Sequence, residues 1–256
     1  MDVTKWLKST FSQERIPEWQ CPNCKSGKLI LVNEKFHFEE TAQSLSYHDQ
    51  DEWEPEFICY IFCGLLTCPN CGEHISFLGK GNVEHDQYYD QFRDEYHEEY
   101  NNIFEPSWFN PPLELFRINT ECPKEIKNEI IESFSLFWSD LPSCANKIRT
   151  SIEMLMNQQK VKTTIIQSGK RRLLSLHRRI EEFKAVNSEI ADYLLAIKWI
   201  GNIGSHPGKL EKIDILETYE LLEFSLDKLF DNKETKMKKL SKEIIKRKGV
   251  RKRKKI

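Results

Sequence analysis

The chain has 256 residues, 39% hydrophobic and 30% charged, with a net charge of −2. That is room for two modest domains with a polar surface. No run reaches the roughly 18 apolar residues that a membrane-spanning helix requires, so no membrane partner is expected.

Residues 1–20 read as a short amphipathic lead-in. The opening MDVTKWLKST lacks the apolar core of a signal peptide. Together with reduced cysteines, this points to the cytoplasm. Two near-identical motifs follow, CPNCK at 21–25 and CPNCG at 68–72. Each supplies two thiols from one tight turn. Cys21, Cys24, Cys68 and Cys71 together offer the four sulfurs of a tetrahedral structural zinc. Such a site has no open coordination position, so the metal should hold the fold and carry no chemistry. His74 follows the second motif but is not needed as a ligand. The insert between the pairs exceeds the usual zinc-ribbon spacing, which predicts a ribbon with an elaborated hairpin.

Residues 21–83 read as β-rich, through the strand-like runs KLILV, KFHFEE, EFICYIF and HISFLG. Cys59 and Cys63 lie in an apolar run and are expected as buried free thiols; isolated Cys122 and Cys144 are expected to be structural. From Glu84 to Glu105 acids and aromatics dominate. Trp108, Phe109, Pro111 and Pro112 then suggest an extended linker lying on a surface.

After Pro123 the apolar spacing becomes helical. Helices are predicted at about 123–139, 143–158, 173–183 and 188–199, with Ser188 as a cap, and from about 213 to 230. The expected fold class is α+β. Residues 1–105 would form the zinc-ribbon-like module with its acidic aromatic extension, 106–235 an α-helical bundle, and 236–256 a basic tail.

The tail carries twelve Lys or Arg against the single acid Glu243, which leaves −13 on the remainder. Lys246, Arg247, Lys248, Arg251, Lys252, Arg253, Lys254 and Lys255 are therefore the candidate nucleic-acid contacts, to RNA or DNA. Lys170, Arg171, Arg172, Arg178 and Arg179 bracket an apolar stripe, as phosphate contacts or as a solvated helix face. The break GNIGSHPG holds a further candidate set. His206 could serve as general acid or base, Asn202 could orient a phosphate, and Lys198 could stabilise an anionic transition state. The competing reading makes Asn202 and His206 helix caps beside glycines that allow close packing.

Three features are shared with a known prokaryotic family. They are the Arg149–Glu153 pair, Gly201–Asn202 followed by His206, and an amphipathic closing helix. On these, residues of about 123–230 resemble the DUF4145 domain, a helical domain related to the HEPN superfamily. The resemblance implies a helical bundle, often dimeric, in defence, restriction-associated or toxin–antitoxin settings. HEPN ribonucleases cut RNA without metal, using an Arg, a polar residue and a following His. Here Gly201 stands where that Arg would precede Asn202, and Lys198 is the nearest upstream cation. Three functions follow as expectations. The first is a non-enzymatic accessory or sensor module that binds nucleic acid or a protein partner, plausible in anti-phage defence. The second is a metal-independent endoribonuclease centred on His206. The third is a structural protein that dimerises through its helical bundle.

Overall fold

The structure is a computed structural model that describes residues 1, 3–90, 94–203, 210–231 and 233–248. It is mixed α+β, a curled antiparallel sheet followed by helices. Two short helices, α1 (Val3–Leu7) and α2 (Ala42–Leu45), accompany five strands. The strands are β1 (Ile30–Leu31), β2 (His37–Glu40), β3 (Cys59–Thr67), β4 (His74–Asp90) and β5 (Glu95–Asn110). β3 pairs with both β1 and β2 along one edge and with β4 along the other; β5 completes the sheet. The inner face of the curl is almost entirely aromatic. Phe11, Phe36, Phe62, Phe77 and Phe104 are all buried, and Phe11 lies 5.4–5.8 Å from each of the other four ring centroids. Each such ring contributes roughly 2–3 kcal/mol by leaving water.

Three expectations need correction. The acidic aromatic stretch Glu84–Glu105 is no separate extension, because it forms the long β4–β5 hairpin that continues the sheet. Trp108 and Phe109 do not begin a surface linker: both lie in β5, and Phe109 is buried. Beyond them Leu113, Leu115, Phe116 and Ile118 are buried too, so this connection is itself core. Cys59 and Cys63 are exposed, because strand alternation turns Phe62 inward and the cysteines outward.

The second half contains α3 (Lys124–Leu136), α4 (Leu141–Gln158), strands β6 (Thr164–Gln167) and β7 (Lys170–Leu173), α5 (Leu176–Phe183), α6 (Ser188–Ile203), α7 (Lys212–Phe230) and α8 (Lys233–Arg247). Asp140 caps α4, accepting from the Ser143 amide at 2.9 Å. Asn187, not Ser188, caps α6 through its side-chain oxygen and the Ile190 amide. The β6–β7 hairpin ends at Leu173, so the helix expected at about 173–183 begins slightly later, at Leu176. Its turn, Ser168-Gly169, holds φ of 51° and 73°, the double left-handed geometry that suits two-residue hairpins.

One core runs through both halves. Trp19 precedes the first cysteine motif, Phe109 lies near the end of β5 and Trp138 follows α3. Phe109 lies 5.2 Å from Trp19 and 4.8 Å from Trp138 between ring centroids. The sheet is therefore joined to the helices through packed rings, not through a flexible tether.

Candidate metal centre

The first cysteine motif sits just before β1, held by antiparallel bonds from Cys21 N–H to Gly27 C=O and from Leu29 N–H to Trp19 C=O. The second forms the turn between β3 and β4, where Cys68 N–H donates to Glu73 C=O. Because β1 pairs with the end of β3, the two turns meet. The sulfurs of Cys21, Cys24, Cys68 and Cys71 all lie within 4.8 Å of one another. Cys21–Cys71 and Cys24–Cys68 are each 3.7 Å apart. A tetrahedral thiolate site with metal–sulfur bonds of about 2.3 Å has sulfur edges of about 3.8 Å. The four cysteines could thus hold a metal ion with little rearrangement. All eight cysteines are free, so no disulfide competes.

The surroundings favour a thiolate at Cys24. Cys24 accepts from the Gly27 amide at 3.3 Å, the Asn70 amide nitrogen at 3.5 Å and the Ser26 hydroxyl at 3.6 Å. Hydrogen bonds, led by the Ser26 backbone amide, pull its pKa down to about 5. Burial instead pushes the Cys21 thiol up to about 12. A cation among the sulfurs would reverse that cost, since coordinated thiols deprotonate. Asn23 donates to Cys71 at 3.8 Å. Sequence reading passed over Asn23, Ser26, Gly27 and Asn70. The signal was available, because the same Asn stands third in both CPNC runs.

In the helical half, Arg149 and Glu153 form the expected i,i+4 ion pair at 3.2 Å, partly exposed. Gly201 is buried against the Cβ of Arg149, which brings α6 onto α4. Lys198 is buried, its ammonium 3.8 Å from the centre of the Trp199 ring. Asn202 is half-buried in the last turn of α6. His206 lies outside the described residues, so the Lys198–Asn202–His206 set has no described geometry as a whole. Of the central basic run, Lys170, Arg171 and Arg172 lie on exposed β7 and Arg178 is exposed, but Arg179 is buried beside Ile180 and Phe183. In the tail, Lys246, Arg247 and Lys248 are exposed, while Arg251, Lys252, Arg253, Lys254 and Lys255 lie outside the described residues.

Comparison with known families matches two domains. A DUF4145 domain, a domain of unknown function, spans residues 131–247. A second domain of unknown function, DUF8608, spans residues 9–109 and carries all four cysteines. No curated protein and no solved structure matches the chain. Among the described residues no helix is long and apolar enough to cross a membrane.

Proposed function

We propose that this chain is a zinc-stabilised binding protein whose helical DUF4145 half contacts nucleic acid through α8. The zinc ribbon supplies rigidity: one zinc held by Cys21, Cys24, Cys68 and Cys71 locks the β3–β4 turn to the segment before β1. Zinc is favoured over other metals because four thiolates in a closed, tetrahedral-sized cluster match its structural sites.

The observation that carries the binding role is the exposure of α8. Every residue from Met237 to Lys248 is exposed, and these include Lys238, Lys239, Lys242, Lys246, Arg247 and Lys248 against Glu243 alone. A cationic helix that stands clear of an otherwise acidic body offers phosphates a local site while the body repels them elsewhere. Catalysis is the weaker reading, because Lys198 is buried and engaged with Trp199. The defence setting that the family resemblance implies fits a binding role of this kind. A second reading, a homodimer, is favoured by Met237, Leu240 and Ile244, an exposed apolar stripe at helical spacing along α8.

The test measures binding of a single-stranded RNA and a duplex DNA across a salt series. It uses the zinc-loaded protein and a variant with Lys238, Lys239, Lys242, Lys246 and Arg247 changed to Gln. The variant should bind more weakly, with a salt slope shallower by up to roughly 3–4 for RNA. Equal affinity at matched salt would remove α8 as the contact. Light scattering on the same samples decides the dimer reading.

A further inference from the structure

A cleft of about 370 Å³ lies between α4, the β6–β7 hairpin and the start of α5. Arg149 from α4 and Arg179 from α5 both line it, and Glu153 is the one carboxylate among its lining residues. Arg179 is 6% exposed. Its terminal nitrogens donate to Asn157 Oδ1 at 2.6 Å, Val161 C=O at 3.3 Å and Glu153 C=O at 3.4 Å. All three acceptors are neutral, and the buried Nε–H has no acceptor among the described residues. Arg149 spends one nitrogen on Glu153, and its own buried Nε–H also lacks an acceptor.

The one carboxylate is thus paired with Arg149 and acts on Arg179 only through its field, so the deeper guanidinium has no ion-pair partner among the described residues. A buried charge left in that state is costly, and native structures normally compensate it. The cleft also receives the first turn of α5, capped by Ser175, where helix amides carry partial positive charge. Its volume exceeds that of a phosphate, and Leu173 and Leu174 supply apolar wall for a larger body.

We propose that this cleft binds the phosphate group of a small phosphorylated molecule. Forked guanidiniums match the oxygens of a phosphate, whose charge would answer the guanidinium that Glu153 leaves uncompensated together with the helix terminus. The site shares no residue with α8, so it stands or falls separately from the nucleic-acid reading.

Calorimetric titration of the full zinc-loaded chain tests this, with inorganic phosphate and a nucleoside monophosphate as probes at constant ionic strength in chloride. One saturable site is expected for at least one probe. Arg149→Gln, a partly exposed position, should weaken it about tenfold while melting like the wild type. Arg179→Lys, which keeps the charge and loses the fork, should also bind more weakly. The α8 glutamine variant should bind as the wild type does. Three results would each overturn the proposal: no saturable binding of either probe, unchanged affinity in Arg149→Gln, or loss of binding in the α8 variant.

Discussion

Asn23 and Asn70 occupy the same place in the two CPNC motifs, and each reaches across the cluster to the last cysteine of the other motif, at 3.8 Å and 3.5 Å. The two turns thus brace one another before any metal is considered. Asn70 works on the sulfur whose pKa is pulled down to about 5, beside the Gly27 and Ser26 donors. Asn70→Ala should lower zinc affinity by about tenfold, in the range typical of groups that support metal ligands. Asn23→Ala, the longer contact, should cost less. Competition with a chromophoric chelator measures both, and equal affinity in wild type and Asn70→Ala would refute the bracing role.

Two glycines beside the cluster should respond differently to the same substitution. A Cβ at Gly27 would stand 2.3 Å from the Cys68 sulfur, so Gly27→Ala should displace a ligand and abolish stoichiometric zinc. Gly72 has φ +75° and open space where its Cβ would be. Gly72→Ala should therefore retain zinc and lose about 1 kcal/mol through the left-handed backbone alone. Lys25, in the corresponding position of the first motif, already tolerates φ 59°. Elemental analysis with denaturant unfolding separates the two outcomes.

Asp140 should impose a pH dependence on the helical half. Hydrogen bonds from the Ser143 hydroxyl and amide hold its pKa below the ordinary 3.8. A depressed folded pKa means that the contribution is fully present above the unfolded value and is lost as pH falls through the folded one. Asp140→Ala should cost about 1 kcal/mol at neutral pH, and less as pH drops below 3.8. Asp140→Asn should keep the cap and flatten the dependence. Thermal melts of the three proteins across an acid series test the sign.

A polar relay runs through the helical core. Tyr219, fully buried, donates to Ser133 Oγ at 2.8 Å and lies 3.1 Å from the Cys144 sulfur; Ser133 donates onward to the Ile130 carbonyl at 2.6 Å. Burial raises the Tyr219 pKa well above its ordinary value, so the ring stays neutral at physiological pH. Tyr219→Phe should destabilise the protein by about 1–2 kcal/mol, because Cys144 and Ser133 lose a partner away from water. An unchanged melting temperature would show that the relay contributes nothing.

The cysteine cluster and the long helices were legible because their signals are local: two CPNC runs, and apolar residues at spacings of three and four. The β4–β5 hairpin was not. Its acidic residues repeat with no apolar alternation to mark a buried face, so Glu84–Glu105 resembles solvated chain until Phe104 and Phe109 anchor its far end in the curl. The β6–β7 hairpin had a readable Ser-Gly turn that was masked by the cationic run beside it. The inward rotation of Arg179 depends on where α5 starts, a boundary that periodicity fixes only loosely. The cleft that it lines with Arg149 is a tertiary product, with no trace in spacing.

The contact between Phe109 and Trp138 bears on how this protein comes apart. The two domain matches end at 109 and begin at 131, and they suggest a severable pair. A fragment of residues 131–247 would instead turn Trp138, now packed against Trp6, Trp19 and Phe109, towards water. It would also lack Leu113, Leu115, Phe116 and Ile118 from its own interior. Such a fragment should clump unless the missing surface is restored. The lineage unit and the smallest piece able to live alone should then be, in this chain, different lengths of polypeptide.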